Sequence, residues 1–171
     1  MRSKLNHSQK VVLYNSFIRS LFNYCPVIWM FCGKTANAKI NNIQRKALQS
    51  LYDDFLSNYD ELLLMGDHLT IHEMNKRYIL VEVFKCIKNL NPPFLNEIFK
   101  QNNTYHMNLR TNNTLTLPKT STKTWGLHSF RYRGSRAWNS LPDDIKNETS
   151  LEKFKSLIKS MVLPCTCKLC C

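Results

Sequence analysis

The run Leu51-Tyr52-Asp53-Asp54 sets two carboxylates side by side, and paired aspartates on a turn between strands can hold two Mg²⁺ ions for phosphoryl-transfer chemistry. Three features argue against that use. An aromatic residue belongs in the first place, where Leu51 stands. The flanks carry the three- and four-residue apolar spacing of a helix, and no acidic residue precedes Asp53 to complete a metal site. The pair is expected at a helix end.

Other reactive residue types meet similar objections. Cys25 lies beside Pro26 with Trp29 and Cys32 nearby, and Cys86 sits in an apolar helical run. A nucleophilic thiol needs a neighbouring base or a cationic, accessible setting, so these cysteines are expected to be buried and structural. His68 and His72 lack the glutamate-flanked pairing of a metalloprotease helix and are expected in capping or surface roles. Cys165, Cys167 and Cys170 end the chain in a cluster soft enough for Zn²⁺, although adjacent Cys170 and Cys171 fit one tetrahedral ion badly. The tail is a Zn²⁺ site at best and otherwise a reactive, disordered end; no other cofactor is expected.

Charge is more informative. The net charge is +12, from 24 Lys and Arg against 12 Asp and Glu. From Met1 to Tyr52 there are eight basic residues and no acidic one, and from Gln101 to Trp138 six and none. Such segregation favours contact with phosphates. The candidates are Lys39, Arg45 and Lys46 on one predicted helix with Lys34 just ahead of it, and Arg131, Tyr132, Arg133 and Arg136 on another. The second set mixes guanidinium groups with aromatic rings, as a nucleic-acid groove does. The plainer alternative turns Phe130, Ala137, Trp138 and Leu141 inward and leaves the arginines as a solvated rim.

These residues must be carried by helices. Ser8 is a plausible N-cap for a first helix through Val11, Tyr14, Phe17, Ile18 and Leu21, ended by Pro26, and Pro26–Phe31 suits a short buried turn closed by Gly33. A helix from about Thr35 places Ile40, Ile43, Ala47, Leu48 and Leu51 on one stripe. A short helix follows Ser57, and Thr70 with Glu73 reads as a capping box for a long helix limited by Pro92-Pro93. Gln101–Lys123, rich in Asn and Thr, reads as loop with a small strand pair near Leu115–Leu117. Helix returns at Phe130–Asn139 and, behind a capping box of Thr149 and Glu152, through Phe154 and Ile158. The expected fold is mainly α, a bundle of five to seven helices with a small irregular or β region near 101–128. Its parts are 1–100 helical, 101–128 linker, 129–163 helical and 164–171 Cys-rich tail.

No secretory signal or membrane span is evident, so an intracellular protein, nuclear or cytoplasmic and not secreted, is expected. Taken together, Leu21-Phe-Asn-Tyr-Cys-Pro-Val-Ile-Trp29, Lys39-Ile-Asn-Asn-Ile-Gln-Arg-Lys-Ala-Leu48, Tyr59-Asp-Glu-Leu-Leu63, Ser129-Phe-Arg-Tyr132 and Trp138-Asn-Ser-Leu-Pro142 resemble the tail of jockey-type non-LTR retrotransposon reverse transcriptases. The order of these blocks and the Cys-x-Cys-x-x-Cys ending carry the resemblance over nearly the whole chain. It implies a thumb-like, post-palm region that grips template and primer while the palm of an RNA-directed DNA polymerase does the chemistry. It also implies that Met1 lies inside a longer reading frame and that this chain is no enzyme by itself. RNA or DNA and the polymerase palm are then the partners, and no membrane is involved. The alternatives are a helical interaction or scaffolding domain whose apolar face from Leu151 to Met161 packs on the palm, and a non-functional remnant.

Overall fold

A computed structural model describes residues 5–29, 33–102, 113–122, 126–161 and 163, and these are mainly helical. The chain divides into two compact units, one running up to Asn75 and the other from Lys76.

In the first unit, α1 (His7–Leu13) starts at Asn6, not at Ser8. Asn6 and Gln9 exchange side-chain and backbone hydrogen bonds of 2.9 and 3.0 Å, so the amide cap wins because its partner lies three residues on. The helix widens into a π-helical segment, Tyr14–Arg19, and tightens again as α2 (Ser20–Asn23). Cys25 then takes a left-handed backbone (φ 45) before Pro26 opens α3 (Pro26–Trp29). Its thiol is exposed, which corrects the expectation of a buried Cys25: the turn ahead of the proline leaves it at the surface. Cys86 is buried as expected.

The long α4 (Lys34–Tyr52) buries Gln44, Leu48 and Leu51. Its inward face is rotated from the expected stripe, since Ile43 is 53 % exposed whereas Gln44 is fully buried. Asp53 closes the helix in a left-handed conformation (φ 54), and Lys10 of α1 forms an ion pair with its carboxylate. Asp54 accepts the backbone N–H groups of Leu56 and Ser57 at 3.0 Å each, shaping the loop to α5 (Tyr59–Met65). These bonds, with one from the Ser57 hydroxyl, hold the Asp54 carboxyl below its ordinary value. Both aspartates are thus occupied in local structure. Asn58 and Glu61 form a capping box for α5, and Leu62 and Leu63 complete a core with Tyr14, Leu48 and Leu51.

The α6 helix (Ile71–Ile87) begins at the expected box: Thr70 N–H donates to Glu73 Oε2 at 3.1 Å and Glu73 N–H donates to Thr70 Oγ1 at 3.2 Å. It ends before the prolines, where left-handed Asn89 (φ 54) lets Leu90 N–H donate to the Lys85 carbonyl at 2.9 Å. In the second unit follow α7 (Pro93–Asn96), α8 (Phe130–Asn139), α9 (Asp143–Lys146) and α10 (Leu151–Ser160). Among the described residues the strand pair amounts to a single antiparallel bridge, Gln101 with Leu115.

The core of this unit is aromatic. Phe154 stacks on Phe84 at 4.3 Å and lies 5.9 Å from Trp138. Burying a side chain of this size contributes about 2 to 3 kcal/mol. Phe154 and Ile158 of the Leu151–Met161 stretch are fully buried within this unit, whereas Leu157 stays exposed. The cap of α10 is Ser150, one residue past the expected Thr149. Gly134 sits where α8 comes closest to its neighbours: a Cβ there would fall 2.9 Å from the side chains of Phe99 and Val83. Among the described residues no helix is long and apolar enough to cross a membrane.

Candidate nucleic-acid interface

The cations expected to touch phosphate fall on two helices, one in each unit. On α4, Lys34, Lys39, Arg45 and Lys46 are all exposed. Their intervals divide them into two rows. Lys34 and Arg45, eleven residues apart, share one line, while Lys39 and Lys46, seven apart, share another with Ile43. Arg45 is steadied by a 2.8 Å bond to Asn42 Oδ1, and Lys39 and Lys46 have no ion-pair partner among the described residues. With no carboxylate before Asp53, little on this stretch of chain neutralises these rows.

The inner side of α4 holds the rows in place. Gln44 receives a hydrogen bond from the Tyr59 hydroxyl and donates to the Leu69 carbonyl at 3.0 Å. Its nitrogen also lies 3.5 Å from the Tyr14 hydroxyl, so one buried amide joins the π-helical segment, α5 and the approach to α6. Burial, with nearby Tyr14, Asp60 and Glu73, pushes the Tyr59 phenol far above its ordinary value. The Tyr52 hydroxyl and His68 Nε2 are 2.8 Å apart. Burial first, then the charge of Arg19, holds His68 below the ordinary imidazole value. His68, in the loop after α5, is half-buried and His72, in the first turn of α6, is buried, which corrects the surface role that stood as the alternative to capping.

On α8, Ser129 caps the helix by accepting Tyr132 N–H at 3.2 Å. Arg131 and Arg136 are exposed, whereas Arg133 is half-buried. The Arg133 guanidinium donates to the Leu127 carbonyl at 2.9 Å and lies 3.3 Å from His128 Nδ1. It therefore belongs to the loop before α8, and burial together with this neighbour keeps His128 below its ordinary value. Tyr132 is half-buried. Trp138 faces the core and donates from Nε1 to the Asn113 carbonyl at 2.9 Å, while the Asn139 amide clasps both backbone groups of Leu115. Two arginines, not three, are free to reach outward.

Cys165, Cys167 and Cys170 lie outside the described residues. Among those described, no group of three His, Cys, Asp or Glu converges in a way that would hold a metal ion. The residues that sequence reasoning missed are Gln44, Tyr14 and Tyr59. Gln44 is four residues from Leu48 and seven from Leu51, and that spacing was the available signal for an inward amide. Comparison of the chain with protein-family models, with curated proteins and with solved structures finds no match to any of them.

Proposed function

We propose that this chain grips the phosphate backbone of RNA or DNA, as the non-catalytic, thumb-like part of a non-LTR retrotransposon reverse transcriptase. The observation that carries the reading is α4: exposed Lys34, Lys39, Arg45 and Lys46 on a helix whose preceding chain holds no carboxylate. Exposed Arg131 and Arg136 on α8 supply a second cationic surface. Contacts of this kind fix position on a backbone without reading bases. The sequence blocks that resemble reverse transcriptase tails give the biological setting, in which a palm carried elsewhere performs nucleotide addition.

The test is a fluorescence-anisotropy titration of the full chain against a labelled structured RNA and a single-stranded DNA over a range of salt. Submicromolar binding that weakens steeply with salt is expected, because each neutralised phosphate releases counterions. Replacing Lys39, Arg45 and Lys46 by Ala should lower the logarithmic salt slope by about one for each cation removed. A folded protein that binds neither polymer overturns the proposal.

A further inference from the structure

Within the unit that ends at Asn75, a groove of about 690 Å³ opens between the rod of α1 and its π-helical extension on one side and α4 on the other. One wall carries Leu13, Phe17 and Ile18, and the other carries Ile43, Ala47 and Leu51. The first set recurs at steps of four and one and the second at steps of four, so each wall is a helical ridge, and a trough between two such ridges has the shape that seats a third helix. Its apolar atoms face solvent: Phe17 is 66 % exposed and Ile43 53 %. The α4 wall runs over nine residues from Ile43 to Leu51, or about 13 Å, which is two to three helical turns.

Charge narrows the choice of occupant. Lys10 and Lys46 are the charged residues of the lining, and it contains no carboxylate. Lys10 is partnered by Asp53, whereas Lys46 has no ion-pair partner among the described residues. A second copy of this chain would bring its own net charge of +12 against that rim. We infer that the groove docks an acidic amphipathic helix of a partner protein, with an apolar stripe against Phe17 and Ile43 and a flanking carboxylate on Lys46. This is helix-in-groove recognition with charge setting the choice of partner. It rests on the apolar trough and shares only Lys46 with the phosphate-binding set proposed above, so the serine variants of Phe17 and Ile43 test it apart from that function.

The probe is a fluorescein-labelled helical peptide of Leu, Ala and Glu, with leucines at successive three- and four-residue steps and glutamates on both flanks. It is titrated into the full chain beside an isomer carrying Lys in place of Glu. The glutamate peptide should bind at least about tenfold more tightly than the lysine isomer, and Phe17→Ser should weaken it by about tenfold. Lys46→Glu should reverse the preference between the two peptides. Ile43→Ser serves as a second probe of the apolar wall, and circular dichroism confirms that each variant is folded. Equal affinity for both isomers, or indifference to both serine variants, overturns the inference. So does a dimer, seen by light scattering, that Phe17→Ser abolishes, since the groove would then belong to a second copy. Displacement of the peptide by a long-chain fatty acid at comparable concentration would assign the trough to an acyl chain and overturn it equally.

Discussion

Replacing Gln44 by Leu nearly preserves side-chain volume and removes both polar ends at a position with no access to solvent. The folded chain loses the bond from the Tyr59 hydroxyl and the 3.0 Å bond to the Leu69 carbonyl, while the 3.5 Å approach to Tyr14 is too long to count for much. Each good bond contributes about 1 kcal/mol net, and a partner stranded in the interior costs about 1 to 3 kcal/mol. Half-buried Tyr59 recovers part of its loss from water, and the new methyl groups return about 1 to 2 kcal/mol. The net effect should be a loss of about 2 kcal/mol, against a stability on the order of 5 to 10 kcal/mol for a unit of this size. Hydrogen exchange followed by mass spectrometry across a urea series reads it locally. Peptides from α4 and α5 should lose protection at a urea concentration lower by about 1 M, with peptides from α8 and α10 as internal reference. An unchanged or higher midpoint for α4 would refute the reasoning, because the amide would then be held by packing alone.

Gly134→Ala places a Cβ 2.9 Å from Phe99 and Val83. Overpacking of about 1 to 3 kcal/mol outweighs a helix-propensity gain of up to about 1 kcal/mol, so the Tm should fall by several degrees; a rise would mean the neighbours yield freely. For His68, the folded value is depressed, so the unfolded chain binds the proton more readily. The associated stability is complete above the unfolded value of about 6.5 and is lost as pH falls below it. Protection of α4 and α5 should therefore drop as pH falls below about 6.5, and His68→Gln should remove that part of the drop. On α8, the double variant Arg131→Ala, Arg136→Ala should leave the thermal melt unchanged and reduce the salt slope of RNA binding by about 2. An unchanged slope takes α8 out of the interface. Arg133→Ala alone should instead reduce stability, through removal of the bond to Leu127, by about 1 to 2 kcal/mol, seen as a lower melting temperature.

The helices were legible because their signals are local. Thr70 and Glu73 announce α6 through a reciprocal pair that needs nothing from the rest of the chain, and the spacing of Phe154 and Ile158 in α10 names its buried face. Where two local solutions compete, the sequence does not rank them. Asn6 and Ser8 both suit an N-cap, and what decides is that Asn6 finds Gln9 three residues on; Ser150 and Thr149 are separated by equally small differences. The face of α4 is a different problem. Hydropathy assigns Ile43 inward and Gln44 outward, yet a buried amide costs little once Tyr59 and Leu69 supply its partners, and those partners lie 15 and 25 residues away. The same rotation turns Ile43 outward and opens the groove beside the π-helical segment. Of the cations, the sequence put Lys39, Arg45 and Lys46 off the apolar stripe of α4, where they are exposed, but treated the three arginines of α8 alike. Separating Arg133 from Arg131 and Arg136 required the Leu127 carbonyl, a partner that no helical periodicity encodes.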